Sequence, residues 1–496
     1  MASIGADSSL AMAELEKVQT PITESSGHKA EKEAGGGPPN NNHDGPTTSS
    51  VESSDVEDED ETPDGGAKAW LMILGAWCCS FCSYGWLNSK FSPGCRLLFP
   101  VRFAPPPTLS SALHEGVGIF QQYYETGPLS DYSPSTIAWI TSLQIFFLSF
   151  LGPVIGRLND TYGPRVLVAV GSFLHVFGLM MSSLSTEYYQ ILLSQGVCSA
   201  IGVSAIFLPA LACVSGWFTK RRGLAFGVLS TGSSLGGVVF PLIISNLLRT
   251  VGYGWTLRIC AFMILALLFV ANAFVRQRPT RESAASRQRG IGGMTREQML
   301  KPFRERAFQI LLLGQFIIPY GLYVPITYLP SAAVGAGMSE SLSQYLVTFY
   351  NAASLVGRAS SGYLSDKAGR FNVFCGACFI ASILVLSMWI PGSTDAVLIA
   401  FAVLFGVSSG AYISLMAALV SSVSPLEELG YRNGLCFLAG SVGGLTTSPI
   451  AGAILDSSIG GWTGLKAFSG VMMFIGTAVT FGVRIQMTGL KLWVAF

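Results

Sequence analysis

From Ala67 onward the chain alternates between apolar stretches and short polar segments. A helix rises about 1.5 Å per residue, so about 20 apolar residues cross a hydrocarbon core of about 30 Å. The pattern therefore predicts twelve membrane-spanning helices. Their expected bounds are 67–88, 135–155, 166–184, 188–214, 223–247, 255–275, 307–330, 343–364, 372–391, 395–423, 433–455 and 465–485.

The segments outside these spans suggest the domain organisation. Residues 1–66 are rich in Gly, Pro, Ser and Asn, and they bury too little apolar surface to offset the entropy cost of ordering, which predicts a disordered cytoplasmic tail. Residues 67–275 are expected to form one six-helix bundle and residues 307–486 a second. The linker 276–306 joins them, and 487–496 is a short cytoplasmic tail. The expected fold is an all-α polytopic membrane protein.

Basic residues concentrate in the loops that follow the even-numbered spans, with nine of them between Arg276 and Arg306. Loops rich in Lys and Arg stay on the cytoplasmic side of a membrane. Both termini and the long linker are therefore predicted to be cytoplasmic, and the plasma membrane is the expected location.

One predicted outer loop breaks this pattern. Residues 90–116 contain five prolines and several charges, and they cannot span a membrane. Without them, Tyr84–Ser89 would join Val117–Tyr124 into one long first helix. Two interpretations remain open: an outer-loop insertion, or an intron retained in the gene sequence.

Composition narrows the function. Only 12% of the residues are charged, the net charge is +1 and the mean hydropathy is +0.49. Soluble domains carry about 25% charged residues, and nucleic-acid binders are basic, so neither class fits. No catalytic triad, metal-ligand set or phosphate loop stands out, so no enzyme activity, cofactor or metal is expected. The CxxC pairs Cys79/Cys82 and Cys375/Cys378 are interpreted as small buried apolar residues.

The two halves share a motif. Gly156–Arg165 reads GRLNDTYGPR after the second span, and Gly362–Arg370 reads GYLSDKAGR after the eighth. Parallel repeats of six helices are typical of secondary transporters. The motif resembles the loop signature of the major facilitator superfamily. Asp64–Trp70 and Trp217–Gly227 resemble motifs of its monocarboxylate transporter branch, particularly the fungal members, and the resemblance covers about 62–486.

The resemblance implies a gate formed by Asp160, Arg165, Asp366 and Arg370. A carboxylate at the end of a span can accept hydrogen bonds from a helix N-terminus and can pair with arginine. Such a cluster would hold the two bundles together in one conformation and release them in the other. The alternative is that the basic residues only keep these loops on the cytoplasmic side, but this does not explain the repeated aspartate.

Two arginines lie inside predicted spans. An ionised group at the membrane centre costs at least about 2.5 to 3.5 kcal/mol, which marks a functional position. Arg258 lies near a span end, where its charge can reach the interface. Arg358 lies deep in the eighth span, and the resemblance implies that it binds the substrate anion. Asn88, Asn351 and Tyr320 are expected to contribute to the substrate site, because lipid would penalise polar groups.

The chain departs from the proton-coupled lactate carriers at two positions. Their lysine and aspartate of the proton cycle correspond to Asn88 and Ser354, neither of which titrates in the working range. His175 is the only embedded histidine, and it is interpreted as a packed, hydrogen-bonded residue. The branch resemblance would imply symport of lactate and protons, but the chain lacks the two usual residues of that proton cycle.

The predicted function is secondary active or facilitative transport of small organic anions, monocarboxylate-like, by alternating access. The alternative is export of a secondary metabolite from a biosynthetic gene cluster. A less favoured alternative is a non-transporting membrane sensor on the same scaffold. The expected partners are the substrate and the lipid bilayer, with no nucleic acid.

Overall fold

The computed structural model describes residues 64–88, 120, 123–124, 127–278, 296–456 and 461–489, all within one compact unit, Glu61–Phe496. These residues form helices joined by short turns. The all-α prediction is confirmed. The tail up to residue 63, most of the linker and the whole 90–116 segment lie outside the described residues.

A helix lies at each of the twelve predicted positions within the described part of the chain, and the second position is occupied by a bent pair. Most helices are longer than the apolar stretches that predicted them. Their bounds are α1 Ala67–Asn88, α2a Pro134–Phe150, α2b Gly152–Tyr162, α3 Pro164–Ser182, α4 Tyr188–Trp217, α5 Arg222–Thr250, α6 Gly252–Phe274, α7 Arg306–Gly335, α8 Glu340–Ala368, α9 Arg370–Trp389, α10 Asp395–Ser422, α11 Leu429–Asp456 and α12 Gly461–Thr488.

Ten of these helices are long and apolar enough to cross a membrane, and the bent pair supplies an eleventh span. The helix α8 is as long as its neighbours, but it carries many serines together with Asn351 and Arg358. It packs between α5 and α10, so protein surrounds its polar residues. A helix shielded in this way needs less apolar surface than one facing lipid.

The second span bends by 42° between Phe150 and Gly152. The helix α2b continues to Tyr162, beyond the predicted end at residue 155. The prediction that the repeated signature lies in loops is therefore wrong for most of its residues, because Asp160 and Asp366 lie in the last turns of α2b and α8. We call the end of the molecule that carries these two aspartates the signature end.

Glycines end both signature helices. Gly163 follows α2b with φ of 81°, and Gly369 follows α8 with φ of 89°. Residues with a side chain rarely adopt this conformation, so glycine allows the chain to turn directly into the next helix. Each signature motif is thus the C-terminal part of one helix plus a glycine turn.

Two helix pairs join the halves of the chain at the signature end. The helix α5 of the first half packs along α8, and α11 of the second half packs along α2b. The same arrangement therefore occurs twice, with the roles of the halves exchanged. This internal symmetry follows the sequence repeat.

Candidate functional site: a buried arginine above a closed helix contact

Arg358 lies in α8 and is 1% exposed. Its Nε donates a hydrogen bond to Ser354 Oγ at 3.1 Å. Its Nη1 donates to the carbonyl oxygen of Ser230 at 2.7 Å and to the hydroxyl of Ser233, both in α5. The guanidinium therefore connects the two halves of the chain.

The hydrogen-bond partners of Arg358 are neutral. Two serine hydroxyls and a backbone carbonyl accept its bonds, and within the described part of the chain no carboxylate oxygen lies within 4.0 Å of it. Ser354, which stands where the lactate carriers have aspartate, accepts one of these bonds. A buried cation without an opposite charge is costly, and a bound anion lowers that cost.

Asn88 and Asn351 lie beside this group. The Nδ2 atom of Asn88 donates to the carbonyl oxygen of Ser233 at 3.4 Å. A Cβ atom built on Gly237 would come within 3.1 Å of Asn88 Cβ and 3.3 Å of Asn351 Oδ1, so both amides flank one glycine of α5. We call this group the polar seam. It consists of Asn88, Ser230, Ser233, Asn351, Ser354 and Arg358.

Tyr320 is the fourth residue predicted to bind substrate, and the structure places it elsewhere. Its hydroxyl accepts a hydrogen bond from Thr446 Oγ1 at 3.0 Å. Its ring lies against Phe316, with ring centroids 5.6 Å apart. The hydrogen bond joins α7 to α11, the ring contact lies within α7, and no described contact connects Tyr320 to the polar seam.

Three aromatic rings from both halves meet near the middle of the helices. The rings of Tyr84 and Phe207 lie 4.7 Å apart, and Phe437 approaches them at 6.5 Å and 5.9 Å. Sequence reasoning did not predict that these three rings meet. A phenylalanine in an apolar span gives no sign of whether it faces lipid or protein.

The signature aspartates bind helix N-termini of the opposite half. Asp366 accepts hydrogen bonds from the backbone N–H groups of Gly223 at 2.7 Å and Leu224 at 2.8 Å. Asp160 accepts from Gly430 at 3.1 Å and Tyr431 at 2.8 Å. Unpaired N–H groups and the helix dipole make these termini favourable sites for a carboxylate.

Glycines allow the helices to approach closely at the same places. A Cβ atom on Gly156 would lie 2.1 Å from the carbonyl oxygen of Gly430. A Cβ atom on Gly223 would lie 2.6 Å from the carbonyl oxygen of Gly362. Any larger residue would push the helices apart, so the backbones themselves close the signature end. The polar seam lies directly beyond the second contact, since Gly227 faces the carbonyl of Arg358.

The two predicted gate arginines differ in their surroundings. Arg370 donates from Nη1 to Ser422 Oγ and from Nη2 to the carbonyl oxygen of Thr219, each at 3.0 Å. It therefore reaches the loop before α5 in the other half. Arg165 lines a cleft beside α3 instead, and the described contacts of Asp160 do not include it.

Asp64 anchors the same loop, a role that the sequence did not reveal. Its carboxylate accepts backbone hydrogen bonds from Thr219, Lys220 and Arg221 at 2.9, 2.6 and 3.1 Å. Partial burial raises the pKa of Asp64, but these bonds and one from the Thr219 hydroxyl outweigh it and lower the pKa below its ordinary value. The segment that leads into α1 is thus fixed to the start of α5.

A second unpredicted group lies where the linker meets α7. Arg432 is fully buried and binds Glu428 at 2.6 Å and Glu305 at 2.9 Å. The hydrogen bond from Arg432 lowers the pKa of Glu305 below its ordinary value. This ion cluster ties the start of α7 to the start of α11.

The remaining polar candidates have local partners. Arg258 donates to Ser183 Oγ at 3.2 Å and lies over the ring of Trp255, away from the signature end. His175 is fully buried, and its Nδ1 lies 2.9 Å from Ser199 Oγ. These contacts agree with the interpretation of Arg258 as a residue near a helix end and of His175 as a packed, hydrogen-bonded residue. Cys79, Cys82 and Cys378 are fully buried, as expected for small apolar residues.

Comparison with known proteins identifies the fold family. A family model described as Major Facilitator Superfamily matches residues 76–397 and 311–487. The solved structure of FucP in the outward conformation is 16% identical, with a TM-score of 0.61 over 83% of this chain and 98% of that one. The proton:xylose symporter XylE, bound to 6-bromo-6-deoxy-D-glucose, is 12% identical, with a TM-score of 0.65 over 84% of this chain and 95% of that one.

Curated relatives match over most of their length. MFS transporter asaE of Aspergillus flavus is 51% identical over 438 residues, which cover 88% of this chain and 91% of that protein. The fujikurins efflux protein of Gibberella fujikuroi is 48% identical over 88% of this chain and 86% of that protein. The agnestins efflux protein AgnL12 of Paecilomyces divaricatus is 35% identical over 85% and 89%.

Proposed function

The chain belongs to the major facilitator superfamily, and we propose that it exports a small organic acid of secondary metabolism. The proposed substrate class is based on the buried guanidinium of Arg358, whose described hydrogen-bond partners are all neutral. A planar guanidinium binds a carboxylate through two parallel hydrogen bonds. The Asn88 and Asn351 amides would complete the polar end of the site.

The direction of transport is proposed from relatives. Two of them carry efflux of fujikurins or agnestins in their names, and both match over most of their length. Export therefore fits this chain better than the monocarboxylate uptake that the branch resemblance implies. The rings of Tyr84, Phe207 and Phe437 offer an apolar surface from both halves for the body of such an acid.

We further propose that the structure is closed on the cytoplasmic side. The positive-inside rule places the signature end there. Asp160 and Asp366 act as two latches, each holding a helix N-terminus of the other half, and Arg370 supports the second latch through Thr219. Opening this end would separate α5 from α8 and release Arg358 from Ser230 to receive cytoplasmic substrate.

The test measures transport of labelled carboxylic acids and their methyl esters. Everted vesicles from cells that express the chain should accumulate an acid and not its ester. Arg358→Lys keeps the charge but loses the planar fork, and a hydrogen bond to a charged group is worth about 1.5–3 kcal/mol. Transport at low substrate concentration should then fall roughly tenfold to a hundredfold.

Arg258→Lys is the matched control, since Arg258 lies within a helix but bonds only to Ser183 and Trp255. It should transport at the parental rate. Equal transport of acid and ester, or unchanged transport in both Arg358→Lys and Arg358→Ala, would contradict the substrate site. Accumulation only in right-side-out vesicles would contradict export and leave the site intact.

A further inference from the structure

A cleft of about 760 Å³ opens at the signature end of the first half, outside the contact between the halves. It lies among the start of α1, the turn from α2b into α3 and the end of α6. Its floor includes Leu71 and Phe274, which are apolar, and its rim includes Tyr162 and Trp217. The transport site and the latches do not use it.

Three cations line this cleft from separate parts of the chain. Lys68 comes from the first turn of α1, Arg165 from the first turn of α3, and Arg276 from the end of α6. All three side chains are exposed. The Trp217 indole donates to the carbonyl oxygen of Arg276 at 2.8 Å, which fixes the chain at this corner.

The N-terminus of α3 adds a further attraction for an anion. Gly163 precedes this helix, and among the described residues no side-chain cap bonds to its first N–H groups. Gly163, Pro164 and Arg165 all line the cleft. N–H groups at a helix start favour negative charge, and here they coincide with three cations that line the open cleft.

The surface around the cleft is largely apolar. Val166 is 60% exposed and Tyr162 is 66% exposed, and Leu71 and Leu74 continue this apolar surface along α1. Aromatic rings at such a level are typical of the membrane interface, with acyl chains on one side and headgroups on the other. A soluble anion would not need this apolar floor.

We propose that the cleft binds the headgroup of an anionic phospholipid of the cytoplasmic leaflet. The phosphodiester lies among Lys68, Arg165 and Arg276 at the start of α3, and an acyl chain lies along Leu71 and Phe274. Basic pockets between helices on the cytoplasmic side are suited to such headgroups. This assigns Arg165 to lipid binding, in contrast to Arg370, the arginine that ends the second signature.

The experiment measures the lipid retained by the full chain. Protein in nanodiscs of phosphatidylcholine with one fifth phosphatidylinositol is extracted into mild detergent, and the bound lipid is counted by native mass spectrometry. Retained phosphatidylinositol should exceed its share of the membrane. The triple variant Lys68→Gln, Arg165→Gln and Arg276→Gln should lose this excess at least tenfold.

The control variant removes three exposed cations of the linker and the start of α7, Arg296→Gln, Arg304→Gln and Arg306→Gln, so that net charge changes equally. It should retain the parental lipid ratio. Single variants, with folding checked by circular dichroism, keep the test valid if the triple variant fails to fold. An unchanged ratio in correctly folded cleft variants would overturn the proposal, as would an equal loss in the control.

Two further arms separate the occupants. Glycerophosphoinositol, which has the headgroup without acyl chains, should fail to displace the retained lipid. If it displaces the lipid at a concentration equal to that of phosphatidylinositol, the cleft is assigned to soluble phosphates. A carbodiimide cross-link between Lys68 and the acidic run Asp55–Glu61 in the same nanodiscs would assign it to the chain's own tail. Either result overturns the lipid proposal.

Discussion

Asp160 and Asp366 each bind two backbone N–H groups of a helix in the other half of the chain. A carboxylate suits this role because it only accepts hydrogen bonds, and its charge interacts favourably with the helix dipole. Neither contact needs an arginine in direct contact with the carboxylate. The two contacts therefore form a pair of helix caps that join the two halves.

Asp366→Asn is expected to open the signature end. The amide keeps the shape but replaces one acceptor by a donor that faces the N–H groups of Gly223 or Leu224. The loss of a charge-assisted bond costs about 1.5 kcal/mol, so the open population should rise roughly tenfold. Spin labels at the exposed positions Lys220 and Lys367, on either side of the contact, should show a new longer distance.

Asp395→Asn is the control for this variant, because Asp395 is an exposed carboxylate in the first turn of α10 and has no described contact with the first half of the chain. Its distance distribution should match that of the parent. An unchanged distribution in Asp366→Asn would remove the aspartate from the latch.

Glu305 gives the ion cluster a defined pH dependence. Its pKa is lowered below the ordinary 4.5 by the hydrogen bond from Arg432. A lowered pKa in the folded state contributes stability above the ordinary pKa, and this contribution is lost as pH falls through the lowered value. The parent should therefore melt at a higher temperature than Glu305→Gln above about pH 5, and the difference should shrink towards zero in more acidic buffer.

Differential scanning fluorimetry in detergent measures this difference across the pH range. The exposed Glu297, in the preceding helical turn Arg296–Leu300, provides the control Glu297→Gln, which should melt at the parental temperature because this side chain is exposed. A difference between parent and Glu305→Gln that stays constant below pH 4.5 would contradict the role of Glu305 ionisation.

At the scale of helices, glycine contacts set how closely the halves approach. Gly156 faces Gly430, and Gly223 faces Gly362, with no room for a methyl group at any of them. Contacts between small residues hold membrane helices together through backbone packing. The latches thus combine a carboxylate cap with a glycine contact on each helix pair.

Gly156→Ala is expected to open both helix pairs. The new methyl group would overlap the backbone of Gly430, and overpacking costs about 1–3 kcal/mol. Because the halves move as rigid units, the labels at Lys220 and Lys367 should separate, although the substitution lies in α2b. Gly452→Ala in α11 has open space around its Cβ atom and should leave the distance unchanged. Movement confined to α2b and α11 would contradict coupling of the pairs.

The sequence predicted the helices well and the site in part. Long apolar stretches identify spans directly, and the repeat identified Asp160 and Asp366. The polar seam was predicted through Arg358, Asn88 and Asn351, because polar groups inside apolar helices are rare. Asp64 and Glu305 were missed, since each lies in a polar segment and its partner is far along the chain. The position of Tyr320 away from the polar seam was not predicted, because one sequence does not show which face of a helix meets which neighbour.

In the whole molecule, the two helix pairs that carry the signature aspartates close the same end. The α5–α8 pair and the α2b–α11 pair repeat one geometry about an internal symmetry. The polar seam and the aromatic rings lie beyond them, where both halves contribute side chains. A rocking motion that breaks both latches would expose the seam to the side that is now closed, as alternating access requires.

Residues before and after the segment 90–116 contact each other in the structure. Trp86 before it and Phe120 after it pack with ring centroids 5.7 Å apart. Tyr124 follows and is fixed by hydrogen bonds to Gln195 at 2.8 Å and to the Tyr253 hydroxyl at 2.9 Å. The described residues on either side of the segment therefore lie close together, and closing a shorter loop between them costs less entropy.

Deletion of residues 90–116 should leave the melting temperature unchanged or raise it, and transport should persist. The control deletes 121–134, which removes the anchoring Tyr124, and it should lower the melting temperature and the yield. Loss of folding in the first deletion would show that the segment is a structural insertion. Sequencing the transcript then separates the two interpretations. A mature message without these codons identifies a retained intron, whereas a message that encodes them identifies an outer loop.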